Sequence, residues 1–164
     1  MTTFLLVLGA VIITIAALWA VFTAQRLNTL HIRTDAALAQ LQAMLDRRAA
    51  VIGALIPSLA PITTKTEAVP LRHGKLGERS QLERELNVQV QQAVASDESL
   101  VHTISSNAQL VDAETRVQLA HRFYNEAVAD TRALRLRPAV RLFRLGGTAP
   151  LPDFFEYSFQ LDYS

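Results

Sequence analysis

The run TTFLLVLGAVIITIAALWAVFTAQ, residues 2–25, decides the fold because it carries no charged side chain. As a helix it would be about 36 Å long at roughly 1.5 Å per residue. That length exceeds the ~30 Å apolar core of a bilayer. Trp19 and Phe22 lie near its C-terminal end, where interfacial aromatic residues are enriched. The run therefore predicts a transmembrane anchor over residues 1–25.

A cleaved signal peptide is the alternative interpretation of the same run. Such a peptide has a basic segment first, then a shorter apolar stretch and a small-residue cleavage site. No basic side chain precedes the apolar run here, and the run is too long. These features favour a retained anchor.

Basic residues follow the anchor, beginning with Arg26 and Arg33. Loops that stay in the cytoplasm carry an excess of Lys and Arg. We therefore expect a single-pass protein of the cell membrane, with its N-terminus outside and its C-terminal part in the cytoplasm.

The composition and motifs indicate neither a nucleic-acid partner nor an enzyme. The net charge is only +1, whereas nucleic-acid proteins show a strongly basic face. The sequence contains no glycine-rich phosphate loop and no His-Glu-x-x-His. No two histidines share a metal-binding helical spacing; they are His31, His73, His102 and His121. We expect no catalytic residue, no metal and no cofactor.

Beyond the anchor, apolar residues repeat at spacings of three, four and seven. They are Leu38, Leu41, Leu45, Ile52, Leu55 and Leu59. This pattern is typical of a helix in a bundle or coiled coil. Arg48 occupies an inner position between Leu45 and Ile52, which is anomalous for an apolar stripe.

Prolines and glycines then predict a loop over residues 61–78, because they interrupt helices. They are Pro61, Pro70, Gly74 and Gly77. Ser80 and Glu83 have the spacing of a capping box and predict the start of a second helix. The mixed charges of GERSQLERE, residues 77–85, indicate a solvated helix face.

The second helix weakens at residues 95–99, where a break or kink is expected. A turn follows at residues 105–107, and a third helix extends to about Arg137, before Pro138. The predicted class is all-α. It consists of a single transmembrane helix, then a long-helix antiparallel bundle of three to four helices over residues 26–137, and an irregular tail.

The tail, residues 138–164, is rich in proline, glycine and aromatic residues. Phe154, Phe155, Tyr157 and Phe159 lie close together in sequence. Aromatic side chains usually pack in cores, so we expect the tail to fold onto the bundle. A binding site for a partner is the alternative.

A structural polar network is predicted around Arg48, because a buried arginine is costly without a partner. We expect Arg47 or Arg48 to pair with Glu114, with Asn125 or the Tyr124 hydroxyl completing the network. Its role would be to fix the register of the helices. The alternative is that both arginines extend to solvent.

A basic amphipathic segment follows the third helix, and it is a candidate interaction patch. Its arginines are Arg132, Arg135, Arg137, Arg141 and Arg144, and Phe154 and Phe155 of the tail are grouped with them. Such a segment suits an anionic membrane surface. Counting three helices places it far from the anchoring bilayer, which favours a solvated surface or an end cap of the bundle.

Several ordered segments together resemble a divergent member of the LemA family. They are RLNTL (26–30), DAALAQLQAMLDRRAAVIGALIP (35–57), ETRVQLAHRFYNEAVADTRALRLRPAVRLFRLGG (114–147) and DFFEY (153–157). The matching positions are Asn28, Arg47-Arg48, Glu114, Tyr124-Asn125, Pro138 and Phe155-Glu156. The resemblance implies a bacterial, single-pass, α-helical protein with no family catalytic residues. One branch of that family belongs to magnetosome membranes, which implies a role in membrane organisation.

Two functional hypotheses follow. The first is a non-enzymatic, membrane-anchored interaction or scaffold protein that forms homo-oligomers or binds a protein partner. The second is a regulatory or envelope-stress module that recruits a partner enzyme.

Overall fold

The computed structural model describes residues 1–143, 145–146 and 150–157, and these contain helices and no strand. The predicted all-α class is confirmed. The helices are α1 (Thr2–Leu55), α2 (Ala60–Glu67), α3 (Leu76–Ser96), α4 (Glu98–Ser105), α5 (Ala108–Arg135) and α6 (Pro138–Leu142). A 3₁₀ turn, Pro57–Leu59, separates α1 from α2.

Helix α1 joins the apolar run to the bundle without a break over 54 residues. Its most apolar window has a mean hydropathy of 2.7, and no residue of that window is buried. The first buried side chain of α1 is Leu27. In the described part of the chain, α1 is the one helix long and apolar enough to cross a membrane. The candidate anchor and the first helix of the bundle are therefore one element.

Three clusters of buried apolar side chains follow one another along α1. The base cluster contains Leu27, Leu134 and Val140. The middle cluster contains Leu38, Leu41, Leu45, Leu71, Leu76, Val117, Ala120, Tyr124, Val128 and Phe155. The top cluster contains Ala49, Ile52, Ile56, Leu59, Ile62, Leu82, Leu86, Val90, Ile104 and Leu110.

The order of these clusters along the chain gives an up-down-up-down bundle. Helix α1 runs from base to top, and α2 with its loop returns from Ile62 in the top cluster to Leu71 in the middle cluster. Helix α3 rises again from Leu76 to Val90. Helix α5 descends the full length, from Leu110 in the top cluster to Leu134 in the base cluster.

The predicted loop over residues 61–78 is wrong at both ends. Pro61 lies in the first turn of α2, where a missing N–H costs nothing, so it begins a helix instead of ending one. Gly53 lets α2 approach α1, because a Cβ there would lie 2.9 Å from the Thr63 hydroxyl. The irregular segment is only residues 68–75, which include Gly74 at φ +76°.

The predicted capping box at Ser80 is also wrong, because α3 begins earlier, at Leu76. Ser80 Oγ instead donates to the Glu156 carbonyl at 3.1 Å. The expected break near residues 95–99 occurs at Asp97, whose side chain accepts from the Ser99 amide and caps α4. At the turn that follows, the Asn107 side chain caps α5.

Tyr124 is fully buried in the middle cluster. We expect Tyr124→Ala to lower the free energy of unfolding by about 3 kcal/mol, because it opens a large cavity in the core. Val88→Ala on α3, at a position 50% exposed, is the control and should change it little. Thermal denaturation of the detergent-solubilised protein checks both, and equal melting shifts would contradict the assignment.

Candidate functional site: a buried ion network and a clasped C-terminal segment

Arg79 of α3 lies fully buried and has three partners. Its Nε donates to Glu83 Oε1 at 2.9 Å, and its Nη2 donates to Asp46 Oδ1 at 2.7 Å. Its Nη1 donates to the Val69 carbonyl at 2.9 Å. The guanidinium therefore joins α1, α3 and the loop after α2. Multiple directed hydrogen bonds of this kind are what arginine offers over lysine.

Arg48 of α1 is 2% exposed and lies on the other side of Glu83. Its Nη2 donates to Asn87 Oδ1 at 2.7 Å and lies 3.7 Å from Glu114 Oε1. Its Nη1 lies 3.6 Å from Glu83 Oε2. Neither of these last two atoms has a hydrogen-bond partner in the described part of the chain. Arg48 is therefore held electrostatically by two carboxylates and by one short hydrogen bond.

Glu83 is the shared centre of the network, since it lies between the two buried arginines. Burial raises the pKa of its carboxyl above the ordinary value of 4.5, and the positive charges of Arg79 and Arg48 oppose that shift without cancelling it. The ionised form of the Glu83 carboxyl is therefore less favoured than in an exposed glutamate.

The predicted network is brought together only in part. Arg48 faces Glu114, whereas Arg47 is exposed and lies 3.5 Å from Asp112. Tyr124 and Asn125 bind the C-terminal tail instead of the arginines. The proposed role in helix register stays a prediction.

Sequence reasoning missed the α3 half of the network. The interpretation of residues 77–85 as a solvated face is wrong at Arg79 and Glu83, which are fully buried. The signal was present in the spacing, because these two residues continue the stripe of Leu86 and Val90 at intervals of four, three and four. Arg79 and Glu83 are thus charged residues in the apolar stripe of α3, as Arg48 is in the apolar stripe of α1.

The tail is clasped by side chains of α5. The Tyr124 hydroxyl donates to the Asp153 carbonyl at 2.7 Å. The Asn125 side chain accepts from the Phe155 amide at 3.0 Å and donates to the Phe155 carbonyl at 3.3 Å. His121 Nε2 lies 2.7 Å from that same carbonyl. Asn125 thus binds both the N–H and the carbonyl of Phe155.

Burial of the Tyr124 ring raises the pKa of its hydroxyl to about 12, and Asp153 and Asp35 add to the shift. The hydroxyl therefore stays protonated and keeps donating to the tail at physiological pH. Tyr157 links the clasp to the ion network, because its hydroxyl accepts from Asn87 Nδ2 at 2.7 Å. Asn87 in turn accepts from Arg48.

The candidate interaction patch divides into two groups. Arg132 donates to the Pro152 carbonyl at 3.0 Å and lies over the Phe154 ring, and Arg135 donates to the Pro150 carbonyl at 2.8 Å. Phe155 is 1% exposed in the middle cluster, so placing it in the patch is wrong. Its ring packs inward because its backbone is held by Asn125.

The second group of the patch is exposed. Arg137 lies just before α6 and Arg141 lies in its last turn, both on the surface, and Arg144 lies outside the described residues. The expectation that this region ends far from the anchor is wrong. Trp19 of the apolar run and Phe143 are in edge-to-face contact, with centroids 6.2 Å apart. The short α2 and its loop supply an extra descending segment, so α5 also descends.

Two depressions border the clasp. A cleft of about 200 Å³ is lined by His31, Thr34, Asp35, His73, Thr131, Pro150 and Pro152. It is smaller than the ~300–1,000 Å³ of common ligand pockets. A wider, open depression of about 610 Å³ is lined by Arg84, His121, Asn125, Phe155, Glu156 and Tyr157. The wider one exposes the tail contacts to solvent.

Comparison with known proteins finds no matching family model, no matching curated protein and no matching solved structure.

Arg48 and Arg47 form a matched pair for testing the network, since they are adjacent but differ in burial. We expect Arg48→Met to lower the free energy of unfolding by about 3 kcal/mol, because it leaves buried carboxylate charge without its partner. Arg47→Met should change it little, because exposed ion pairs contribute little. Thermal denaturation of both variants is the measurement. A melting temperature of Arg48→Met equal to that of the natural protein would show that the network does not stabilise the fold.

The raised pKa of Glu83 gives a pH dependence with a definite sign. A group whose pKa is raised on folding contributes stability below its unfolded value, here 4.5, and loses it as the pH rises through the folded pKa. Gln at this position does not titrate. We therefore expect the stability of the natural protein relative to Glu83→Gln to be greatest near pH 4 and to decline towards neutral pH.

Melting temperatures of the two proteins between about pH 4 and pH 8 provide the measurement, and Glu85→Gln on the exposed face of α3 is the control. If the melting temperature of the natural protein relative to Glu83→Gln rises with pH, the arginines lower the pKa of Glu83 instead.

Proposed function

We propose that this protein is a membrane-anchored, LemA-like helical scaffold that acts without catalysis in the organisation of a bacterial cell membrane. We further propose that it self-associates, and that the bundle lies on the cytoplasmic side. The resemblance at Arg47-Arg48, Glu114 and Tyr124-Asn125 supports the family. The basic residues after the apolar run support the orientation.

The burial of the charged groups is the main support for the proposal. The groups best suited to chemistry are Arg48, Arg79 and Glu83, and their side chains are at most 3% exposed. They bind one another and neighbouring helices, so a substrate has no access to them. Charge buried in this way supports a role in holding helices in place.

Self-association is supported by the outer face of α5. Val111, Leu119 and Phe123 are 52%, 50% and 45% exposed, and they follow one another at intervals of eight and four residues. Leu119 and Phe123 therefore lie next to each other on the side of α5 away from the core, with Val111 two turns before Leu119. Copies anchored in one membrane stand side by side with the same polarity. We therefore propose that a second copy of this chain binds to this face of α5.

The mass of the detergent-solubilised protein tests this proposal. We expect an oligomer by light scattering and native mass spectrometry, and a monomer for Leu119→Lys combined with Phe123→Lys. Val88→Lys on α3 is the control, because Val88 is equally exposed at 50%. A monomeric natural protein would contradict self-association.

The clasped tail favours the regulatory module as a second candidate. The tail is fixed largely by hydrogen bonds to its backbone, and the open depression beside it offers a docking surface. A partner that binds there would be released by Asn125→Ala, which removes two of those bonds. Purification of the natural protein and of this variant tests the second candidate. An enzyme that copurifies in equimolar amount with the natural protein, and not with the variant, would favour recruitment over scaffolding.

A further inference from the structure

A groove of about 190 Å³ lies between α1 and α6, where the apolar run enters the bundle. Its lining is Trp19, Phe22, Thr23, Arg26, Leu134, Arg137 and Val140. The groove exists because Val140 anchors α6 in the base cluster against Leu27 and Leu134. Two parts of the chain that are distant in sequence therefore form one surface.

The groove is apolar along one part and basic along another. Trp19 and Phe22 belong to the uncharged run, whereas Arg26 follows it directly and Arg137 comes from the turn before α6. Phe22 and Arg26 are four residues apart, which is about 6 Å along a helix. The polar layer on each side of a bilayer core is roughly 5–8 Å thick. An aromatic pair at the edge of the apolar core thus places the arginines at headgroup depth.

The two arginines are available to a ligand. Both are exposed, and neither forms an ion pair with an acidic side chain in the described part of the chain. Arg132 and Arg135, by contrast, are engaged with the tail. Guanidinium groups bind phosphate through paired hydrogen bonds, which an ammonium group cannot do.

The exposed apolar residues beside the groove fit the same environment. Leu142 is 77% exposed and Phe143 is 62% exposed, and Phe143 contacts Trp19. Leu136, at the end of α5, is 50% exposed. Large apolar side chains next to arginines are typical of helices that lie in a membrane interface.

We propose that the groove between α1 and α6 binds an anionic phospholipid of the anchoring membrane. Arg26 and Arg137 hold the phosphate of the headgroup, and an acyl chain lies along Trp19 and Phe22. Arg141 adds positive potential at the same level. The proposal rests on the membrane anchoring proposed above, but not on self-association.

Trp19 is the only tryptophan of the chain and lines the groove, so its fluorescence reports directly on the lipid. The full chain is reconstituted in phosphatidylcholine membranes that contain a minor fraction of phosphatidylglycerol. Bromine on the acyl chains quenches tryptophan on contact. In one sample the bromine is carried by phosphatidylglycerol, and in the other by an equal fraction of phosphatidylcholine.

We expect the bromine-labelled phosphatidylglycerol to associate with Trp19 about fivefold more strongly than labelled phosphatidylcholine, the factor expected from about one arginine at a membrane surface. Arg26→Gln combined with Arg137→Gln should bring the ratio to about one. Arg84→Gln, on the exposed face of α3 beside the middle and top clusters, is the matched control and should retain the preference.

Each other outcome overturns the proposal in a distinguishable way. Equal quenching by the two lipids in the natural protein leaves the anchor in place and removes the lipid site. Quenching by neither lipid removes the anchor as well. Loss of the preference in inorganic phosphate, but not in chloride of equal ionic strength, shows that the groove binds free phosphate instead of lipid.

Discussion

The rest of the structure depends on burying two arginines and a glutamate between α1 and α3. Removing a charged group from water costs several kcal/mol, and only well-placed partners offset that cost. Arg79 meets this demand with three short hydrogen bonds, one of them to Glu83. An apolar stripe tolerates sliding by one helical turn, whereas this set of partners is satisfied at one register. This difference is the physical basis of the prediction that the network fixes the register of the helices, which leucine packing alone would leave open.

The same network extends by single hydrogen bonds to the C-terminal tail. Arg48 orients the Asn87 amide, and the other end of that amide donates to the Tyr157 hydroxyl. Phe155 is buried beside Tyr157, with its backbone paired to Asn125. A change in the charge of Glu83 is thus two side chains away from the tail. The buried ion network and the C-terminal tail are therefore physically connected.

The general architecture was predictable because its signals are local and strong. An uncharged run of bilayer length and a stripe of leucines after it are properties of single helices. They correctly predict a helix long and apolar enough to cross a membrane, and its continuation into the bundle. The anomaly of Arg48 also pointed to Glu114, which lies 3.7 Å away. Arg79 and Glu83 were misread because alternating charges on one helix describe a solvated face equally well. Only the packing of α3 against α1 decides between the two environments.

The error with the largest structural consequence concerns α2, a helix of eight residues. Pro61 was interpreted as interrupting a helix, although at the first turn it begins one. The resulting α2 and its loop give the chain one more descending segment. The number of passes after α1 determines whether the end of α5 lies at the base or at the top. With α2 in place, α5 ends beside Leu27, and α6 lies beside Trp19. Arg137 therefore lies beside Trp19 and Phe22 of the apolar run, whereas a three-helix count would put it at the opposite end of the bundle.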